Sequence, residues 1–387
     1  MRSHLNRHER SVTPPVPYDH WLIFTVICLM SIGLLMVASA SIVISDTQLH
    51  QPFYYLYRQL AGLILGLLMG GIVIQFEIAT WQKVTGIMLF GAIFLLILVL
   101  IPGVGHVVKG SARWLGVGVF RIQASEFAKF AVVLYIAHYS VRKNAEIKTY
   151  LKGFMRPFGI LVLVSLLLLR EPDFGATVVI MTTALGMMFL AGMRLQHFLF
   201  LFILILAAFI ILAMTEPYRL ERLTTFMNPW ENAYHSGYQL TQSLIAFGRG
   251  GWFGVGLGKS IQKLFYLPEA HTDFVFAVIA EEFGLMGALI IIFLFTFLVL
   301  RIFWIGREAL RLGKPFAGFI AYGFALWIAI QFTVSIGVNT GVLPTKGLTL
   351  PLVSYGGNSM LMSCVVIAML LRIDYENRTS KLGLGNA

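Results

Sequence analysis

The stretch LPEAHTDF, Leu267 to Phe274, places Glu269, His271 and Asp273 within five residues, directly before a long apolar run. A carboxylate at the edge of an apolar phase has its charged form disfavoured. Its pKa then rises towards the range where it can take a proton from a hydroxyl. Asp273 is therefore the candidate general base. Two structural tasks compete for the same residues. Thr272 and Asp273 are favoured helix N-cap types, and Glu269, His271 and Asp273 could hold a divalent ion, although i, i+2, i+4 spacing around Pro268 is a poor ligand set. Further on, Glu281 and Glu282 fall inside the apolar run. A charge at bilayer depth costs about 2.5–3.5 kcal/mol, so these two are expected to sit in buried ion pairs that fix helix packing.

Other polar sets interrupt apolar sequence. RIQASEFAKF brings Gln123, Ser125, Glu126 and Lys129 to the start of a span, with Glu126 and Lys129 at pairing distance i, i+3. NTGVLPTKGLTLPLVSYGGNS sets Asn339, Lys346, Ser354, Tyr355, Asn358 and Ser359 around two prolines. Broken backbone at membrane depth is tolerated only where it is buried in protein or lines a cavity. That segment is thus a re-entrant wall of a site or a tight helix crossing through Gly356–Gly357. REPDFG, Arg170 to Gly175, reads as a hinge between two helices, and the glycines between Gly248 and Gly258 as a flexible hinge beside an interfacial helix over 238–247. GLGKS within that cluster is not a phosphate loop, because Phe253 stands where the pattern requires its first glycine.

The elements that carry these residues are membrane helices. The chain has 387 residues, 58% hydrophobic and 12% charged, against about 25% charged in soluble domains. Apolar runs predict ten spans, at 20–43, 59–76, 83–102, 123–140, 156–170, 174–193, 197–214, 273–300, 315–338 and 350–371. The fold class is an all-α polytopic membrane protein with both termini cytoplasmic. It has an N-terminal tail over 1–19, a membrane domain over 20–371 whose one large periplasmic loop is 215–272, and a C-terminal tail over 372–387. Orientation follows from Lys and Arg, which concentrate in the segments this topology places inside. The net charge of +11 is juxtamembrane and does not indicate nucleic acid. Even so, the outer segments keep Lys109, Arg113 and Arg121 in one loop and Arg219, Arg222, Arg249, Lys259 and Lys263 in another, a surplus suited to an anionic ligand. Cys28 and Cys364 lie in apolar runs and offer no disulfide framework.

LPEAHTDFVFAVIAEEFG, GLTLPLVSYGGNS, GSARWL with RIQASEFAK, and EPDFGA resemble the signature blocks of the SEDS family (shape, elongation, division and sporulation), in that family's order and over nearly the whole chain. The segment from NPWENAYHSGYQL to HTDF and the closing LLRIDYENR are more similar to the division branch than to the elongation branch. The resemblance implies a glycosyltransferase that polymerises peptidoglycan from lipid II on the outer face of the inner membrane. It would form β-1,4 links with inversion and release undecaprenyl diphosphate. The family's catalytic aspartate falls on Asp273. Arg113, Lys129, Lys346 and Arg249 are then the cations expected to neutralise the diphosphate, with a divalent ion as the alternative. Gln123, Ser125, Glu126, Asp173, His271, Thr272, Ser354, Tyr355 and Ser359 are the further residues expected to meet substrate. The implied partners are a class B penicillin-binding protein transpeptidase and other membrane proteins of the division septum, where the chain is expected to act. A lipid II flippase and a non-catalytic division scaffold are the competing readings. The two halves show no repeat of the kind that alternating-access transporters use.

Overall fold

The computed structural model describes residues 18–382 apart from 109–110, 118–119, 150–151, 215–224 and 345–346. Lipid offers a backbone no hydrogen-bond partner, so apolar runs close every N–H onto the carbonyl four residues back. The helices that result are α1 (His20–Leu49), α2 (Tyr54–Val73), α3 (Ile78–Leu100), α4 (Ala124–Arg142), the short α5 (Asn144–Thr149), α6 (Lys152–Arg170), α7 (Phe174–Leu190) and α8 (Leu195–Met214). They continue with α9 (Tyr238–Gly250), α10 (Val275–Arg311), α11 (Pro315–Asn339) and α12 (Gly357–Lys381). Setting aside α5 and α9, these coincide with the predicted spans, and seven are long and apolar enough to cross a membrane. The chain is a polytopic, mainly α-helical membrane protein.

Three features depart from the sequence expectation. Residues 106–123, expected as a plain loop, form an antiparallel sheet of β1 (His106–Val108), β2 (Ser111–Val117) and β3 (Phe120–Gln123), and β3 runs straight into α4. The last helix begins at Gly357 rather than 350, because Pro351 and a left-handed Leu352 (φ 64°) keep the preceding turn irregular. It then continues to Lys381, past the predicted end at 371, and buries Asp374 and Asn377.

The third departure is the break in α10 at Gly284, with φ 67° and ψ −164°. The helix is two pieces, and the second alone, from Leu285 to Arg311, is about 40 Å long and sufficient to span a bilayer. The first piece, Val275 to Phe283, is a short stub buried on all sides through Glu282. The glycine cluster explains the break. The strip 251–256 lies backbone to backbone on it: Leu285 N–H donates to Gly251 O (2.9 Å), Met286 N–H to Trp252 O (3.1 Å), Val255 N–H to Glu281 O (3.0 Å) and Gly256 N–H to Glu282 O (3.0 Å). A Cβ on Gly254 would stand 2.1 Å from Glu282 O. The cluster is a docking strip fixed by close approach, not the flexible hinge expected.

Glu281 and Glu282 do what the sequence suggested. Glu281 pairs with Arg249 (2.8 Å) and also accepts hydrogen bonds from Ser260 Oγ and from Ile261 N–H (3.0 Å). Glu282 pairs with Lys263 (2.8 Å), and Ser39 Oγ donates to it from α1 (2.8 Å). At the opposite end of the bundle a second charge cluster ties three helices together. Asp19 caps α1 through Trp21 and Leu22 N–H and pairs with Arg301 of α10 (2.5 Å), while Asp374 of α12 pairs with Arg378 (2.7 Å).

Removing one member of a buried pair strands the other, at about 3–5 kcal/mol. Glu282→Gln should therefore lower the thermal stability of the purified protein markedly, and adding Lys263→Met should restore most of it. If Glu282→Gln and Lys263→Met each melt like the parent, the pair does not hold the loop after α9 to the stub.

Candidate active site at the junction of two irregular segments

The end of the bundle away from Asp19 gathers the chemistry-bearing residues. Two segments there abandon helix, the turn 267–274 leading into the stub and the described residues of 340–356 on either side of 345–346, between α11 and α12. They meet. Tyr355 N–H donates to His271 O (3.0 Å), and the rings of His271, Tyr355 and Tyr55 cluster, with His271 and Tyr55 centroids 4.6 Å apart. Asp273 lies against Gly347: a Cβ there would sit 3.0 Å from its Oδ2. Asp273 is partly exposed as a residue, whereas Phe274 after it is buried.

Capping, the structural task that competed for Asp273, is carried by another residue. Phe274 occupies the N-cap position of the stub and makes no side-chain cap bond. The Ala277 N–H is instead taken by Asn339 Oδ1 from α11 (3.0 Å). Thr272 Oγ donates to Glu269 Oε2 (2.9 Å). No group of three or more His, Cys, Asp or Glu among the described residues could hold a metal ion, so Glu269, His271 and Asp273 do not fit one.

Buried amides hold the facing loop. Gln59 of α2, wholly buried, donates to Ser354 O (3.1 Å) and accepts from Gly356 N–H (3.1 Å), gripping the chain on both sides of Tyr355. Ser354 Oγ accepts Leu350 N–H (2.9 Å) within the same turn. Gln331 of α11 donates to Thr349 O (2.9 Å), and its Oε1 accepts from Lys129 Nζ (3.1 Å) and Trp327 Nε1 (2.8 Å). Lys129 pairs with Glu126 (2.8 Å) and lies over the Trp327 ring. Gln123 Nε2 donates to Ser125 Oγ (3.1 Å), and Thr349 Oγ is 3.4 Å from Ser359 Oγ. Burial pushes the Tyr355 hydroxyl pKa up, so it remains a hydrogen-bond donor at neutral pH. A small recess is walled by Trp327, Gln331, Pro351, Leu352 and Ser359 but not by Asp273.

The cations fare differently from one another. Lys129 is closed in its pair with Glu126 and buried. Arg249 is bound to Glu281 at the far end of the stub from Asp273. Arg113 of β2 is partly exposed and, among the described residues, donates to the backbone carbonyls Glu171 O (3.3 Å) and Pro172 O (2.6 Å), bonds that bring it no neutralising carboxylate. Lys346 lies outside the described residues, as do Lys109, Arg219 and Arg222. Asp173, expected against substrate, is the N-cap of α7, accepting Ala176 N–H (3.2 Å), and is buried. The hinge it closes still belongs to the neighbourhood, because Gly175 packs on Leu348 of the loop.

Sequence reasoning missed Tyr55, Gln59, Gln331 and Glu171. The two amides were the available signal, since Gln inside an apolar helix needs a partner.

The comparisons with known proteins identify the family to which this fold belongs. The family model described as "Cell cycle protein", covering FtsW, RodA and SpoVE, matches residues 19–379. The chain belongs to this SEDS family. Among curated relatives, the probable peptidoglycan glycosyltransferase FtsW of Legionella pneumophila is 53% identical over 382 residues, covering 98% of this chain and 97% of that protein. The FtsW of Escherichia coli O6:H1 is 44% identical over 377 residues, covering 97% and 91%. Among solved structures, a chain of a peptidoglycan synthase complex that coordinates polymerization and crosslinking superposes with TM-score 0.77 at 26% identity, covering 93% of this chain and 98% of that one. Thermus thermophilus RodA superposes with TM-score 0.70 at 26% identity, covering 93% and 97%. These relatives place this SEDS chain in the division branch.

Glu171 supplies a pH test. It is wholly buried, and neither carboxylate oxygen has a hydrogen-bond partner among the described residues. Burial, helped by the Asp173 charge and opposed by Arg113, pushes its pKa up to about 8. A carboxyl whose pKa is raised on folding binds more protons folded than unfolded. Stability therefore falls as pH rises from the unfolded value of about 4.3 through the folded one. Glu171→Gln should match the parent in melting temperature near pH 4 and exceed it at pH 8. Equal melting temperatures at both pH values would show that Glu171 is not held as the neutral acid.

Proposed function

We propose that this chain is a peptidoglycan glycosyltransferase of cell division in which Asp273 is the general base. The 4-hydroxyl of a lipid II GlcNAc attacks the anomeric carbon of the MurNAc at the end of the growing chain. The new C–O bond forms as the bond from that carbon to the diphosphate breaks. The hydroxyl proton passes to the Asp273 carboxylate, and undecaprenyl diphosphate leaves with the electron pair. One attack from the face opposite the leaving group inverts the centre to β-1,4.

The observation that carries this reading is the placement of Asp273, a partly exposed residue, where two irregular segments meet, with its carboxylate against Gly347. The position admits a sugar hydroxyl, and a positioned base of this kind contributes about 10²–10⁴-fold. The diphosphate needs cations rather than a second acid. Arg113, which among the described residues hydrogen-bonds to carbonyls, suits that task, and Lys346, beside Gly347 in sequence, suits it by position. Lys129 and Arg249 keep their own carboxylates, which supports roles in holding the site rather than the ligand.

The solved synthase complex supports a class B penicillin-binding protein as partner, because a polymerase and a crosslinking enzyme act on one product. The identity to FtsW proteins supports action at the septum of the inner membrane.

Asp273→Asn keeps the side chain's size and removes the base. With purified protein, transpeptidase and lipid II, it should form no glycan chains while melting like the parent. Chains of normal length from this variant would refute the proposal, and translocation of lipid II without chain growth in the parent would favour the flippase. Gly347→Ala adds a methyl group 3.0 Å from Asp273 Oδ2 and should slow polymerisation strongly. Gly71→Ala, where a Cβ meets nothing within 4 Å, serves as control and should leave the rate unchanged.

A further inference from the structure

The turn that carries Asp273 is anchored by one side chain from another helix. Asn339, the last residue of α11, is wholly buried. Its Nδ2 donates to Asp273 O (2.9 Å) and to Ser335 O (2.8 Å), and its Oδ1 accepts Ala277 N–H (3.0 Å). Both donors and the acceptor of the amide are engaged. Its own carbonyl accepts from Ser243 Oγ of α9 (2.7 Å). The amide therefore straddles Phe274, holding the backbone of Asp273 on one side and the first turn of the stub on the other.

We infer that Asn339 is the positioning residue for Asp273, fixing the main chain from which the carboxylate reaches a substrate hydroxyl. The inference rests on the reading of Asp273 as general base. The two bonds across Phe274 do different things. The bond to Ala277 N–H caps the stub, which any acceptor at that point would do. The bond to Asp273 O does no capping, because the carbonyl of a residue ahead of the N-cap is not one of the helix's orphan groups. It fixes where Asp273 sits relative to Gly347. With the backbone held, the carboxylate has only two side-chain torsions left to set, which suits a group that must meet a hydroxyl at hydrogen-bond distance.

Asn339→Asp separates the two roles, since it keeps the acceptor for Ala277 and loses the donor to Asp273. Asn339→Ala loses both. Each variant is assayed as full-length protein with transpeptidase and lipid II, with rates normalised to the monodisperse fraction. Positioning predicts that kcat falls about 10- to 100-fold in both variants while KM for lipid II stays within about two-fold, as expected for a displaced base. A cap alone predicts that Asn339→Asp retains the parent kcat and that only Asn339→Ala loses thermal stability. A kcat for Asn339→Asp within about two-fold of the parent overturns the inference. Should neither variant fold, Ser243→Ala loosens Asn339 without altering its amide and should lower kcat several-fold at constant KM, and an unchanged kcat there overturns the inference equally. Asp273→Asn, run alongside, distinguishes the failures. If it is inactive while Asn339→Asp is unimpaired, only the positioning role is lost. If it is active, the general-base reading itself falls.

Discussion

The architecture depends on one constraint: every backbone polar group that leaves a helix inside the bundle must find its partner in protein. Hydrocarbon offers none, and an unanswered group costs several kcal/mol. The chain leaves helix at the break at Gly284, along 340–344 and 347–356, and in the turn before the stub. Each place is met by a buried polar side chain or by backbone brought close. Gln59 answers Ser354 O and Gly356 N–H, Gln331 answers Thr349 O, and Asn339 answers Asp273 O and Ala277 N–H. Glu281 takes Ile261 N–H, and the glycine strip covers the break itself. The irregular segments are thus specified by the same rule as the helices, which is what the general-base role proposed for Asp273 requires.

The buried charges follow a related logic. A buried pair is poor evidence of net stability, because desolvation consumes most of the attraction. Its effect is to exclude alternatives, since any register that separates Lys263 from Glu282 strands two charges away from water. Lys263–Glu282 joins the loop after α9 to the stub, with Ser39 of α1 as third member, and Lys129–Glu126 lies beneath Gln331 and the loop it holds. A cation fixed in this way is withdrawn from ligand chemistry. That separates Lys129 and Arg249 from Arg113, although all three looked alike as positive charges on outer or span-entry sequence.

Much of the fold was legible in the sequence, because its signal is local. Apolar runs gave the ten long helices, and Asp19, Glu281 and Lys129 sit within or at the ends of runs where charge demands a partner. Asp273 stood out by residue type at such an edge. What escaped notice was non-local or depended on backbone shape. Gly284 inside an apolar run looks like any membrane-helix glycine until a second strand of backbone is laid on it. The sheet over 106–123 is too short and too glycine-interrupted to show a clear alternation. Asp173 is a good cap by type, but the family resemblance points to it as a substrate residue. Gln59 makes contacts nearly 300 residues away in sequence, which no window along the chain connects.

One stripe of α2 shows how packing and site are parts of a single design. Tyr55, Gln59, Gly62, Gly66 and Gly70 recur at helical spacing and share a face. The glycines let α12 approach until backbones touch: a Cβ at Gly62 would lie 3.0 Å from Gly357 Cα, and at Gly66 2.9 Å from Cys364 Sγ. Small residues at four-residue intervals are how helices associate closely where lipid gives no hydrophobic drive. Once α2 is drawn that near to the start of α12, Gln59, one turn before Gly62, has no room except against the chain on either side of Tyr355. Tyr55, a turn earlier still, meets the Tyr355 and His271 rings. Closing the glycine seam therefore sets the depth at which the loop is gripped, and through Tyr355 N–H and His271 O it sets the height of the turn that presents Asp273. A bulkier residue at Gly62 would act on the candidate site without touching it, by lifting the amide that holds the loop.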